Sequence, residues 1–340
     1  MAKKKVFIDG REGTTGLKIF ERLEKRNDIE IMLIDEAKRK DLDERKKFIN
    51  SADYVFLCLP DAASIEAVNL CENPDTVIID SSTAHRTNPD WAYGFPELSS
   101  EHRAKIASSK RIAVPGCYAS GFISIVYPLV SEGFIDPCYP VTCHAVSGYS
   151  GAGKKGIAQY ENPERASIAQ PNDSTIIDEL KSPRLYALTQ MHKHLPEMQK
   201  ISGLDFEPVF NPYICDYFNG MAVSIPLHVR LMDFAGVGAF EKWGSAERKN
   251  AGQVVTKMFK EHYKDCQFIT VADFLGNDLL TEPYIASNTL ANTNTMQIFI
   301  YGNDDRLTIT SRFDNLGKGA SGAAVQCFNI SMGTCEEYGL

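Results

Sequence analysis

The sequence predicts an α/β fold in which a parallel, doubly wound sheet is followed by a second, α+β domain with a mainly antiparallel sheet. Three observations support this prediction. Apolar, β-rich runs alternate with helical segments through the first third of the chain. A glycine-rich turn follows the first of these runs. Long stretches that alternate apolar and polar residues occupy much of the remainder.

The first third of the chain is predicted to contain short apolar strands that alternate with helices. Their order is strand "KVFIDG", helix "TGLKIFERLEKR", strands "IEIMLID" and "DYVFLCLP", helix "AASIEAVNLC" and strand "TVIIDSS". Strands that are apolar throughout are buried on both faces, which is typical of a parallel sheet covered by helices.

The character of the chain changes after Cys117. The stretch "YASGFISIVYPLVSEG" is predicted to be helical, and long alternating strands follow in "YPVTCHAVSGYS", "EPVFNPYICDYFNGMAVSIPLHVR" and "TNTMQIFIYGNDDRLTITSRFD". The turn residues 303–305 within the last stretch favour an antiparallel sheet. The final helix, "KGASGAAVQCFNISMG", carries small residues for close packing, and we expect it to return to the first domain.

Composition and charge restrict the class of protein. The chain has 340 residues, of which 44% are hydrophobic and 24% charged, which is typical of a soluble globular protein with two domains. Its formal net charge of −8 argues against binding to nucleic acid or to an anionic membrane, because both rely on excess Lys and Arg. The longest apolar run is too short to span a bilayer.

The nine cysteines are widely spaced and include no C-x-x-C pair. This usage favours free thiols in a reducing compartment over a disulfide framework or a zinc site. The short strand "VFIDG" behind the basic start is not the apolar core of a secretory signal. We therefore expect a cytoplasmic protein without a bound metal.

The stretch "VFIDGREGTTG" places Gly10, Gly13 and Gly16 where a strand ends and a helix begins. Glycines here let the backbone approach a pyrophosphate, which the N–H groups of the helix N-terminus also favour. The spacing differs from the usual G-x-G-x-x-G, and a tight strand–helix turn is the alternative. After the second strand, Asp35 favours NAD, whereas the basic trio 38–40 favours NADP or is a solvated face, so these signals conflict.

Cys117 follows Pro115 and Gly116 at the predicted start of a helix, a setting that the other cysteines lack. A helix N-terminus favours the thiolate, which is the reactive form of cysteine. Cys117 is therefore either a nucleophile or a buried structural thiol. Cys58 and Cys327 lie within apolar runs and are predicted to be small core residues.

A thiolate nucleophile needs a group that handles protons, and "MHKHLPEM" offers His192 and His194. If this stretch is extended, as the following Pro196 favours, residues i and i+2 share a face and both rings can point into one cleft. The alternatives are a surface pair or a fortuitous metal site without further ligands.

Two further stretches can bind an anionic substrate. "HAVSGYSGAGKK" combines glycines with Ser147, Ser150 and Lys154, so it offers N–H groups and a cation, or it is a flexible hairpin. "DSSTAHR" ends a strand of the first sheet and presents Ser82 and Arg86 at its carboxyl end, where open α/β sheets bind ligands.

Taken together, these stretches resemble the N-acetyl-γ-glutamyl-phosphate reductases of arginine biosynthesis, and in particular their shorter, second type. The similar stretches run from residue 6 to about residue 330 and are "VFIDGREGTTGLKIFERL", "RKD", "DSSTAHR", "WAYGFPEL", "VPGCYAS", "AVSGYSGAGKK", "HKHLPEM" and "NLGKGASGAAVQ". The succession of "PGCY", "SGxSGAG" and "HxHxPE" distinguishes this family from aspartate-semialdehyde dehydrogenase, which is related in mechanism.

The resemblance implies a Rossmann NADP-binding domain over residues 1–116, completed by a C-terminal helix over residues 317–340, and a catalytic and oligomerisation domain over residues 117–316. It implies that Cys117 is the nucleophile, that His192 is the general acid/base with His194 as a second candidate, and that NADPH is the reductant. We expect the cofactor to be bound by Gly10, Gly13, Thr14, Thr15, Gly16, Lys38, Arg39, Ser82, Gly151 and Asn315. We expect the substrate to be bound by Arg86, Ser147, Gly148, Lys154 and His194.

The implied reaction is the reduction of N-acetyl-γ-glutamyl phosphate to N-acetyl-L-glutamate 5-semialdehyde and phosphate through a cysteine thioester. The implied partners are this small acyl phosphate and further copies of the chain, as a dimer or a tetramer. Two alternatives are a related dehydrogenase that uses another acyl phosphate, such as aspartyl phosphate, and a non-catalytic NADPH-binding sensor, which would show no turnover.

Overall fold

The protein is described by a computed structural model that covers residues 3–162, 168–169, 176–234 and 250–340. The chain forms two compact units. Unit 1 comprises Met1–Gly116 and Gly319–Leu340, and unit 2 comprises Cys117–Lys318. Within the described ranges, no helix combines the length and the apolar character needed to cross a membrane.

Unit 1 is built on a parallel sheet. Its strands are β1 (Lys4–Asp9), β2 (Ile29–Met32), β3 (Tyr54–Leu57), β4 (Val77–Asp80), β5 (Ala92–Tyr93) and β6 (Arg111–Ala113). Its helices are α1 (Thr14–Leu23), α2 (Leu42–Ser51), α3 (Asp61–Leu70), α4 (Ser100–Ser108) and α9 (Gly322–Met332). The strand order is β2-β1-β3-β4-β6-β5, and every pairing is parallel, which confirms the predicted sheet.

Helices cover both faces of this sheet, as the apolar strands require. Val6 of β1 packs in a cluster with residues of α1, α4 and α9, whereas its neighbour Phe7 packs with residues of α2 and α3. Successive side chains of a strand point to opposite faces, so an uninterrupted apolar strand serves two cores. The last helix of the chain therefore supplies part of the core of unit 1.

Arg26 holds the C-terminal residues of the chain against unit 1. Its guanidinium pairs with Asp28 at 2.6 Å, donates to the side chain of Asn329, and lies 4.2 Å from the ring centroid of Tyr338. The side chain of Arg26 is 1% exposed, so these contacts replace water almost completely. The last ten residues, whose sequence carried no interpretable pattern, are thus an anchored part of the domain.

Replacing Arg26 with methionine is expected to lower the free energy of unfolding by about 2–3 kcal/mol, because the buried Asn329 oxygen and the partly buried Asp28 carboxylate lose a charged donor. Urea denaturation measures this loss. The control is Lys18→Met, which removes an exposed ion pair with Glu21 and is expected to cost at most about 0.5 kcal/mol. Equal effects of the two substitutions would show that the C-terminal contacts contribute nothing to stability.

Unit 2 contains a mixed sheet whose predominantly antiparallel character was predicted. Its strands are β7 (Thr142–Gly148), β10 (Arg184–Leu185), β11 (Val209–Cys215), β12 (Met221–His228), β13 (Ile269–Val271), β14 (Met296–Gly302) and β15 (Arg306–Phe313), and a separate pair consists of β8 (Ile168–Ala169) and β9 (Ile176–Ile177). The order is β10-β11-β7-β12-β15-β14-β13. Four of the six pairings are antiparallel, whereas β11–β7 and β13–β14 are parallel.

The helices of unit 2 are α5 (Cys117–Ser131), α6 (Gly153–Glu161), α7 (Leu195–Ser202) and α8 (Ala251–His262). Helix α5 packs against β12 and β15. A Cβ atom on its Gly121 would lie 2.5 Å from Val223 and 2.9 Å from Phe313, so only glycine permits this approach. The apolar helix is therefore buried against the sheet, and its first residue is held in a fixed place.

Candidate active site

Cys117 is the first residue of α5 and is partly accessible. The predicted helix was expected to begin after it, and the structure begins the helix at the cysteine itself. Other thiols are held in the neutral form: burial raises the pKa of Cys58 to about 12 and also raises the pKa of Cys143 and Cys215. Cys117 therefore combines access with a position that stabilises a thiolate.

The prediction that "MHKHL" is extended is wrong. His192 lies at a turn in which the N–H of Leu195 donates to the carbonyl of His192 at 3.0 Å, and His194 is the N-cap of α7. Pro196 lies in the first turn of the helix, where its missing N–H costs nothing. The turn nevertheless brings the two imidazole rings together, with centroids 4.6 Å apart.

The turn also fixes which nitrogen of His192 carries the proton in the neutral ring. The backbone N–H of His194 donates to Nδ1 of His192 at 3.2 Å, so Nδ1 is an acceptor and the proton lies on Nε2. His192 is partly exposed, whereas His194 is buried. His192 is thus the histidine that can present an N–H to a ligand.

Aromatic residues surround His192. Its ring centroid lies 5.9 Å from that of Tyr118, 6.0 Å from Tyr186 and 5.2 Å from Phe210. Burial raises the pKa of Tyr118 and of Tyr186, and the charge of the nearby Cys117 thiolate adds to both effects. Because Tyr118 is the second residue of α5, its contact with the His192 ring places the imidazole close to the start of that helix, where Cys117 lies. Sequence reasoning gave no role to either tyrosine, although Tyr118 follows Cys117 directly.

The predicted Ser147 and Gly148 are the last two residues of β7, and the loop that contains Ser150 and Gly151 follows them. A Cβ atom on Gly148 would lie 2.4 Å from the carbonyl oxygen of Phe218, so any side chain there would clash with the backbone at Phe218. Ser147 is buried, and its hydroxyl donates to the carbonyl of Gly148 at 3.1 Å. Lys154 is exposed in the first turn of α6.

A buried polar network holds this loop. The amide of Asn315 donates to the hydroxyl of Ser150 at 2.8 Å, and its oxygen accepts from the N–H of Gly220 at 2.8 Å. Ser150 in turn donates to Asn219 at 2.7 Å. Gly151 lies beside Asn315, since a Cβ atom there would be 3.4 Å from the Asn315 amide nitrogen. Both predicted cofactor residues of unit 2, Gly151 and Asn315, thus belong to one ordered loop system.

Unit 1 contains a cleft of about 300 Å³ beside the glycine-rich turn, which we call the cofactor cleft. It is lined by residues that include Gly10, Gly13, Arg39 and Lys40. Gly10 has φ +86°, and a Cβ atom there would lie 2.4 Å from the carbonyl oxygen of Cys58. Gly13 is the N-cap of α1, and Thr14, Thr15 and Gly16 form its first turn. A bare backbone facing a helix N-terminus fits a pyrophosphate.

The structure gives Asp35 and the basic trio 38–40, whose indications of cofactor preference conflict, different positions after β2. The carboxylate of Asp35 accepts from the N–H of Ala37 at 2.9 Å and so caps a short helix over Glu36–Lys38. Arg39 lines the cofactor cleft and lies 3.7 Å from Glu36, whereas Lys38 is 3.7 Å from Glu44. Asp35 therefore has a local capping role, and basic side chains border the cleft.

Ser82 and Arg86 follow β4, and both make hydrogen bonds to neighbouring parts of unit 1. The Ser82 hydroxyl donates to the buried Asp80 at 2.6 Å. Arg86 is buried, and its guanidinium donates to the carbonyls of Val114 and Ser81, each at 2.9 Å. Arg86 therefore braces the chain that leads to Pro115.

The chain is similar to known enzymes in sequence. A family model of the semialdehyde dehydrogenase NAD-binding domain matches residues 5–106, and a model of the semialdehyde dehydrogenase dimerisation domain matches residues 117–315. The N-acetyl-gamma-glutamyl-phosphate reductase 2 of Nostoc sp. is 41% identical, with full coverage of both chains. The N-acetyl-gamma-glutamyl-phosphate reductase of Burkholderia lata is 38% identical over 99% of this chain and 98% of its own.

Solved structures share the fold at low identity. Aspartate semialdehyde dehydrogenase II of Vibrio cholerae, complexed with ASA, has a TM-score of 0.64 at 15% identity and covers 98% of this chain and 99% of its own. Aspartate semialdehyde dehydrogenase of Candida albicans, solved with NADP, has a TM-score of 0.61 at 14% identity and covers 97% of this chain and 98% of its own.

Proposed function

This chain belongs to the N-acetyl-γ-glutamyl-phosphate reductase family, and we propose that it reduces N-acetyl-γ-glutamyl phosphate to N-acetyl-L-glutamate 5-semialdehyde in arginine biosynthesis. Relatives that are 38–41% identical over essentially the whole chain support this reaction. The single structural observation that carries the mechanism is Cys117, which begins a buried helix beside the aromatic surroundings of His192.

The first step that we propose is acyl transfer to Cys117. The thiolate attacks the acyl carbonyl carbon, a C–S bond forms, and the C–O bond to phosphate breaks. Phosphate leaves with the bond electrons, and a thioester remains on the enzyme. The N-terminus of α5 favours the thiolate before attack. The Nε2–H of His192 can donate to the carbonyl oxygen, where negative charge develops.

The second step is reduction of the thioester. NADPH, when bound, supplies the hydride that the thioester carbon accepts. The resulting thiohemiacetal then collapses, the C–S bond breaks, and the Cys117 thiolate is released together with the aldehyde. His192 gives a proton to the oxygen as charge develops there and takes it back during collapse, which is ordinary general acid/base work.

The experiment that tests the function is the reverse reaction: phosphate-dependent reduction of NADP⁺ by N-acetylglutamate semialdehyde. Aspartate semialdehyde is the matched alternative substrate. Turnover that requires phosphate and prefers the N-acetylated aldehyde is the expected result. Preference for aspartate semialdehyde would assign the chain to the alternative acyl phosphate, and absence of turnover with intact NADPH binding would support the sensor.

The family model identifies unit 1 as an NAD-binding domain. We propose that NADPH is preferred over NADH, since Arg39 and Lys40 line the cofactor cleft while Asp35 caps a helix. A basic side chain at this position can pair with the 2′-phosphate.

Replacing Arg39 with glutamate is therefore expected to raise KM for NADPH at least about tenfold more than KM for NADH, since an attraction becomes a repulsion. Steady-state kinetics with both cofactors measure the difference. The control is Arg22→Glu on α1, a residue that does not line the cleft. Equal changes in both KM values at position 39 would mean that this arginine belongs to a solvated face.

The dimerisation domain model covers most of unit 2, and we propose that a second copy of the chain packs on the sheet face opposite α5. Helix α5 covers the face that carries Ser311 and Phe313. The alternate residue Thr310 belongs to the other face, where it bonds with Ser224 at 2.8 Å, and His144 beside them is exposed. Light scattering measures whether the assembly is a dimer or a tetramer.

We propose that the enzyme works in the cytoplasm. All nine cysteines are thiols in the structure. Such a set is kept reduced in the cytoplasm, where the proposed nucleophile also has to remain a thiol.

A further inference from the structure

A buried ion pair lies directly beneath the cofactor cleft. Asp9 is the last residue of β1, lines the cleft and is 5% exposed. Arg45 of α2 reaches it with two nitrogens, Nε at 3.0 Å and Nη2 at 2.9 Å from the same carboxylate oxygen. The remaining nitrogen, Nη1, lies 2.7 Å from Glu66 of α3, a carboxylate that is about half exposed.

The position of Asp9 conflicts with the ligand of the cleft. The next residue, Gly10, begins the turn whose backbone fits a pyrophosphate, so a carboxylate immediately before it would repel the phosphates. Burial raises the pKa of Asp9, and the charge of Arg45 opposes that effect. An apolar pair of similar volume would often be equally stable at such a place, so stability alone does not account for the charges.

We propose that Arg45 is a positioning residue for the dinucleotide, because its pairing with Asp9 neutralises the carboxylate under the glycine-rich turn and so permits the pyrophosphate to approach. The inference requires only that unit 1 binds NAD(P), and it is independent of which acyl phosphate the enzyme reduces. Arg45 itself does not need to touch the cofactor. Its effect on binding comes from neutralising the negative charge of Asp9.

The test compares four full-length variants for their NADPH dissociation constant, followed by fluorescence titration. Arg45→Met is expected to weaken binding at least about tenfold, because Asp9 is left unpaired beside the phosphates. The double variant Asp9→Asn/Arg45→Met is expected to bind within about threefold of wild type, because the repelling charge is gone. Asp9→Asn alone is expected to bind at least as tightly as wild type. Glu66→Gln is the control, since it leaves the pair with Asp9 intact.

Rescue by the second substitution separates charge masking from a purely structural role. A structural cross-link between β1 and α2 is equally absent from the double variant, which would then bind as weakly as Arg45→Met. That outcome, or wild-type affinity of Arg45→Met, overturns the proposal. If Arg45→Met does not fold by circular dichroism, the double variant is compared with Asp9→Asn, and a tenfold loss between them overturns it likewise. Neither result depends on the semialdehyde assay, so failure of the proposed reaction remains distinguishable.

Discussion

Replacing Cys117 with serine is expected to abolish turnover while NADPH binding survives. A serine hydroxyl is far less acidic than a thiol, so the N-terminus of α5 has no comparable anion to stabilise. The side chain is nearly isosteric, and Cys117 is not among the residues that line the cofactor cleft, so binding of the dinucleotide is expected to be unchanged. The rate of the reverse reaction is expected to fall at least about 10⁴-fold.

Thiol labelling tests the same assignment without a mutation. Brief alkylation of the native protein near neutral pH is expected to label Cys117 in parallel with loss of activity, and peptide mapping identifies the site. Burial raises the pKa of Cys58, Cys143 and Cys215, so these thiols are expected to react slowly. Cys335→Ser, at an exposed thiol, is the control and is expected to keep full activity.

A Cys117→Ser enzyme with several per cent of the wild-type rate would exclude the covalent mechanism.

The parallel sheet and the glycine-rich turn could be predicted because their causes are local. Apolar runs such as "DYVFLCLP" are buried on both faces wherever they pair, and Gly10 needs a positive φ that only glycine adopts easily. Periodicity indicates which residues are buried and carries no information about the neighbouring strand. For that reason β11 and β12, which occur in one alternating stretch, gave no sign that β7 lies between them.

The surroundings of the site depend on contacts between distant residues, and these could not be predicted from one sequence. Pro196 is compatible both with an extended residue before it and with the first turn of a helix, and the helix α7 is what forms. Tyr186 is far from Cys117 in sequence, and nothing in "RLYALTQ" marks it as a neighbour of His192. The pair of Asp9 and Arg45 was missed because a charge within a helix is usually solvated.

Replacing His192 with alanine is expected to lower kcat by about 10²–10⁴-fold, the range of a single general acid/base group, with a small change in KM. Its Nδ1 accepts from the backbone, which leaves Nε2 as the atom that exchanges protons with the ligand. The Cys117 thiolate is untouched, so slow acylation is expected to continue and to appear as a thioester adduct in intact-protein mass spectra.

The matched variant is His194→Ala. His194 is buried, and the N–H that orients His192 belongs to its backbone, so the orienting hydrogen bond does not require the His194 imidazole. Its loss is expected to act mainly through KM, by disturbing the packing between the rings of Tyr118 and His192. Profiles of kcat and kcat/KM against pH discriminate the two residues, because an imidazole that exchanges protons during turnover imposes a limb near neutral pH. Loss of that limb in His194→Ala, together with its retention in His192→Ala, would transfer the acid/base role to His194.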